Sequence, residues 1–195
     1  MTMIATVDRV RLRARPLFSP ADADRAYDEW GANCGPGAIA AICGITLDEL
    51  RPFMEAAGFG GKRYTNPTMM FDVLRQLDVE WRRAAPCWPN YGLVRIQWEG
   101  PWTNPGVPLR ARYRYTHWVG AAIRNGDVGV FDINCMNNGT GWGRFDDWSK
   151  IIVPHLTALY PRASGGWHIT HALEVTAGAR IARAVPAPDA AEPLR

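Results

Sequence analysis

No apolar run in this sequence approaches the roughly 18 residues that a membrane-spanning helix needs, so no membrane span is expected. Lysine is almost missing. It occurs only at Lys62 and Lys150, and the other 20 of the 22 basic residues are arginine. The net charge is +3, too small to make nucleic acid the main partner. No two cysteines form a CxxC pair, which removes the usual structural zinc pattern. The phosphate-binding loop, the dinucleotide GxGxxG and the HExxH patterns are absent as well, and with them the commonest nucleotide and zinc-protease readings. The N-terminal stretch lacks the continuous apolar segment and cleavage-like site of a secretory signal. A cytoplasmic location is therefore expected, where Cys34, Cys43, Cys87 and Cys135 would be thiols. No metal or organic cofactor is implied.

What is there reads as globular. Hydrophobic residues make up 47% and charged residues 21% of the 195, a balance that argues against general disorder and for one domain. We expect a single domain over residues 1–183, with 1–20 as an extended arm and the Ala- and Pro-rich 184–195 as a disordered tail. Arg9, Arg11, Arg13 and Arg15 alternate with Val10, Leu12 and Ala14, which allows an edge strand in the arm. Residues 21–30 suggest a short helix or turn. The small, apolar stretch from Cys34 to Cys43 has Pro36 near its start and Gly44 after it, which predicts a helix. Thr46 with Glu49 three places on is a capping box opening a second helix through about Ala57. Asn66-Pro67 starts a third, with Met69, Met70, Val73, Leu74 and Leu77 near helical spacing. Strands follow at Leu93–Trp98, Thr116–Ile123, Val128–Ile133 and Ile169–Val175. Asn125-Gly126 marks a hairpin turn. Gly100–Pro108, with three prolines, reads as a loop. Helices first and an antiparallel sheet later make the order α+β.

The segment Trp30-Gly31-Ala32-Asn33-Cys34-Gly35-Pro36-Gly37-Ala38 carries the most chemistry. A cysteine at a helix N-terminus meets unpaired backbone N–H groups and the positive end of the helix dipole. Both favour thiolate, the nucleophilic form. The competing reading is a small buried cysteine, and Cys43, half a turn out of phase with Cys34, is read that way. Of the four histidines, His117 enters an apolar strand and needs a partner for each ring nitrogen. His168 and His171 lie three apart on a strand and so point to opposite faces, against a shared metal. His155, after Pro154, is expected at the surface. Pairing across Asn125-Gly126 makes residues whose numbers sum to about 251 neighbours, so His117 faces about residue 134. Asp132 or Asn134 then lies beside it on the same face, and either can accept from the imidazole. Each also has a plain structural role open to it, Asp132 as a strand-end turn former and Asn134 as a loop cap.

In order, Asn33-Cys34-Gly35-Pro36-Gly37-Ala38, Thr116-His117-Trp118-Val119-Gly120 and Val130-Phe131-Asp132 resemble the motifs of the papain-like cysteine peptidases, nearest the C39-like group. The resemblance spans roughly residues 27–135, including the two helices that follow the nucleophile helix. It implies the papain-like fold, with an N-terminal nucleophile helix and further helices packed on an antiparallel sheet. It implies Cys34 as nucleophile, His117 as base and Asp132 as orienting carboxylate, acting on a peptide or protein substrate through a thioester. A transferase on the same triad, or a binding module that keeps the fold, are the alternatives. The sequence departs from that family at one place. The oxyanion glutamine expected about six residues before the cysteine is Asp28, and residues 21–33 hold no glutamine. An ionised carboxylate cannot donate to an oxyanion. The Cys34 backbone N–H remains, with Asn33 the side chain assigned to help it and Trp30 or Tyr27 as alternatives.

Overall fold

The computed structural model describes residues 17–62, 64–138 and 140–177. Four helices come first. α1 (Pro20–Trp30) opens on a capping box in which Ser19 and Asp22 satisfy each other's backbone N–H groups, and it closes on Gly31 at φ 69°. Pro20 is therefore the first residue of α1 and not the end of an arm. The rest of the expected arm, 1–16, and the expected tail lie outside the described residues. α2 (Cys34–Cys43) ends on left-handed Gly44, as the sequence predicts. It is apolar on nearly every side and buried accordingly, against α3, α4, β2 and β3. α3 (Leu47–Ala56) has the Thr46/Glu49 capping box. α4 (Pro67–Gln76) starts with the Asn66 side chain accepting from the Met69 N–H.

The remainder is a six-stranded sheet with every neighbouring pair antiparallel, so the molecule is α+β. Its strands are β1 (Glu80–Ala84), β2 (Tyr91–Trp98), β3 (Thr116–Arg124), β4 (Asp127–Phe131), β5 (Trp142–Arg144) and β6 (Trp167–Ala177), in the spatial order β1-β6-β2-β3-β4-β5. The last strand is thus inserted between the first and second. Between β2 and β3 lie a 3₁₀ turn, Pro101–Thr103, and the short α5 (Leu109–Arg112), so Gly100–Pro108 is not wholly irregular. After β5 comes a helical run of α6 (Phe145–Asp147), a π-type turn Trp148–Ile152 and α7 (Val153–Ala158).

The sheet carries an apolar core on each face. Leu93, Trp118 and Phe131 pack with the buried side chains of α1–α4. Val94, Ile96, Trp98, Val119 and Val130 face Trp148 and Val153 of the later helical run. Strands buried on both faces read as continuous apolar runs, which is the pattern of β2 and β3. Asn125 and Gly126 both take positive φ, 53° and 88°, the two-residue turn whose twist suits a hairpin. Arg124 then pairs with Asp127 and Gly120 with Phe131, the register expected from the turn. β4 stops two residues earlier than the sequence suggests. Asp132 leaves the ladder, and Ile133 begins a 3₁₀ segment, Ile133–Asn138.

Candidate functional site

Cys34 is the first residue of α2, half-buried at the end of the sheet. Two close approaches pin the helix start. A Cβ on Gly35 would run into the Thr65 side chain, and one on Gly37 would meet Ile133. Glycine at both places lets the α2 backbone seat between the α3–α4 connection and the segment after β4.

His117 is the second residue of β3 and is 7% exposed. Its Nε2 lies 2.9 Å from Asp132 Oδ2, which leaves Nδ1 as the nitrogen for the Cys34 thiol, its other hydrogen-bond partner. The Trp98 ring stacks near the imidazole, 6.2 Å between centroids. Asp132 is fully buried, and its oxygens are saturated. Oδ2 also accepts from Trp148 Nε1 at 2.9 Å. Oδ1 accepts from the Asn134 backbone N–H at 2.9 Å and from Asn134 Nδ2 at 2.8 Å. The sequence left Asp132 and Asn134 open as the partner of His117. Asp132 is that partner, and Asn134 holds Asp132.

This arrangement shifts the ionisation of all three groups. Burial pushes the Cys34 thiol up, but the hydrogen bond and charge of His117 and the Trp118 backbone N–H outweigh it, so its pKa falls below the ordinary value. Burial pulls His117 down, yet the charge and hydrogen bond of Asp132, followed by those of Cys34, raise it to about 10. Asp132 is held below the usual carboxylate range: burial opposes ionisation, and His117, Trp148 and the Asn134 N–H overcome it. The two shifts act together, and each favours the charged form of its group: thiolate at Cys34 and imidazolium at His117. The other cysteines differ. Burial pushes Cys43 up to about 12 and raises Cys135 as well, while Cys87 is exposed.

Cys34 and His117 open onto a cleft of about 660 Å³ whose walls include Tyr27, Tyr64, Tyr113, Tyr115 and Tyr160. Asn33, the side chain expected to help hold the oxyanion, lines the cleft, and its amide nitrogen carries two N–H donors. Its Nδ2 donates to the Ala23 carbonyl at 2.9 Å, so this amide ties the start of α2 to α1. Trp30 packs edge-on against Phe59 with Arg51 over its ring. Of the three side chains named from the sequence, Tyr27 faces the cleft without such a tie, and it is 56% exposed.

The remaining histidines are apart from the cleft. His155 is exposed on α7, as expected. His168 pairs with Glu99 at 3.1 Å, and His171 stands opposite Arg95 in the β2–β6 ladder. Among the described residues, no group of three potential metal ligands comes together. Two residues that shape the site were missed from sequence. Trp148 sits in a stretch without strand or helix periodicity, and Arg95 lies inside a largely apolar strand. No family model matches the chain, and a search of curated proteins finds no match to it either.

Proposed function

We propose that the chain is a papain-like cysteine hydrolase that cleaves a peptide or isopeptide bond. The observation that carries this reading is the continuous line from a helix-terminal thiol to a buried imidazole to a saturated, buried carboxylate. Cys34 thiolate attacks the carbonyl carbon and its C–S bond forms. His117 gives its proton to the leaving amine as the C–N bond breaks. Water, deprotonated by His117, then attacks the thioester and releases the acid and the free thiol. Asp132 stays ionised throughout, fixing the ring tautomer and balancing the imidazolium. The tetrahedral oxyanion forms at the start of α2, where first-turn N–H groups lack intrahelical acceptors.

The test begins at the thiol. Iodoacetamide alkylation followed residue by residue by mass spectrometry should label Cys34 faster than exposed Cys87 at pH 6–7. The preference should vanish in His117→Ala. Equal rates at the two cysteines in the native protein would sink the reading and favour a non-catalytic module. Incubation with a peptide library then separates hydrolysis from transfer. Cys34-dependent products ending in free acids support the hydrolase, whereas products capped by an added amine make the chain an acyltransferase.

A further inference from the structure

One buried group of the cleft has no use in this chemistry. Arg95 projects from β2, is 6% exposed and lines the same cleft as Cys34. Its Nη2 donates to Thr116 Oγ1 at 3.1 Å, and the guanidinium lies 5.5 Å from the centre of the Tyr113 ring. Its Nε has no hydrogen-bond partner. Among the described residues no carboxylate forms an ion pair with it. Arginine this deep is ordinarily paired, because an uncompensated buried charge costs several kcal/mol. Among the described residues no Asp or Glu lines the cleft, and the second guanidinium in its wall, Arg114, is bonded to the Tyr115 hydroxyl at 2.7 Å. His171, opposite Arg95 in the ladder, supplies no negative charge in either protonation state. Apart from the Cys34 thiol, whose negative charge reaches Arg95 when it ionises, the described lining gives this guanidinium no anion, so a planar donor fork stands buried near the thiol with part of its hydrogen-bonding capacity unmet.

We propose that Arg95 receives a carboxylate of the substrate, so that the bond attacked by Cys34 lies next to a negatively charged group. A guanidinium fork matches a carboxylate geometrically, and desolvation strengthens the pair. The carboxylate belongs either to a free chain end or to an acidic side chain. The inference rests on the reading of Cys34 as nucleophile only for which bond is attacked; the binding itself does not.

The experiment uses the 195-residue Cys34→Ala protein, which keeps the cleft without the thiol. It is titrated calorimetrically with Ac-Ala-Ala bearing a free terminal carboxylate, with Ac-Ala-Glu amide and with Ac-Ala-Ala amide. At least one carboxylate peptide should bind about tenfold more tightly than the neutral one, and Arg95→Gln in the same background should erase the difference. The tighter of the two carboxylate peptides identifies the source. No carboxylate-dependent binding, or a preference that survives Arg95→Gln, overturns the proposal. Near-UV circular dichroism checks that Arg95→Gln folds. If it does not, Arg95→Lys, which keeps the charge but loses the fork, should cut the preference, and an unchanged preference there also overturns it. Should Cys34 alkylate no faster than Cys87, the hydrolase reading falls while the peptide comparison stands.

Discussion

Asp132 accepts four hydrogen bonds from three residues, and their loss should be graded. Cys34→Ala should abolish turnover. Asp132→Ala should lower it strongly, because the imidazole loses its tautomer lock and its counter-charge. Asn134→Ala should do least, since the backbone N–H at that position still donates. The order is measured as kcat/KM on one cleaved peptide. Trp148→Phe removes a donor from a buried carboxylate and leaves a small void. It should cost about 2–4 kcal/mol of stability, read from urea denaturation. At this scale the sequence pointed to Cys34 and His117 through local signals, a Gly-Pro helix start and a strand histidine, whereas the turn-set register left Asp132 and Asn134 open and the family resemblance favoured Asp132. The sequence hid Trp148 and Arg95, whose importance comes from contacts across the sheet. Asn33 gives an amide N–H to the Ala23 carbonyl, a tie set by the packing of α1 against α2 and therefore invisible in the sequence.

The start of α2 is the element that the site depends on most. Replacing a helical glycine by alanine ordinarily helps by about 1 kcal/mol. At Gly35 the new Cβ meets Thr65, so Gly35→Ala should instead destabilise by about 1–3 kcal/mol and slow Cys34 alkylation. Gly60→Ala, where nothing stands within 4 Å, should stay within about 0.5 kcal/mol of the native protein and leave the rate alone. Chemical denaturation and the alkylation assay check both. The helices were legible because each carries its own punctuation, in Gly44, the Thr46/Glu49 box and Asn66-Pro67. β1 was not, because Glu80-Trp81-Arg82-Arg83-Ala84 is polar and lies at the sheet edge, and β5 has only three residues. The insertion of β6 between β1 and β2 leaves no local trace, since it is set by packing far along the chain.

For the whole molecule, the thiol and imidazole tie stability to pH with opposite signs. His117 is raised from 6.5 to about 10, so its contribution is full below pH 6.5 and is lost as pH rises toward 10. Cys34 is lowered from 9.0, so its contribution is present above pH 9 and is lost as pH falls through its depressed value. Just below pH 9 the two slopes oppose each other, and the raised thiols Cys43 and Cys135 add a loss of stability with rising pH that cancels when the native protein is compared with a Cys34 variant. Cys34→Ala exposes the His117 slope. Its stability relative to the native protein should fall with rising pH by on the order of 1 kcal/mol per unit, measured by urea denaturation between pH 7 and 9. Parallel curves for the two proteins would contradict the coupling. The hairpin adds a consequence for synthesis. Imidazole and carboxylate stand at the base of one tight turn, 15 residues apart, whereas the thiol comes from much earlier in the chain. A ribosome therefore makes Cys34 long before His117 exists. Until the hairpin is threaded into the sheet, that cysteine is an ordinary, largely protonated thiol, and the growing chain is chemically quiet toward itself and its surroundings.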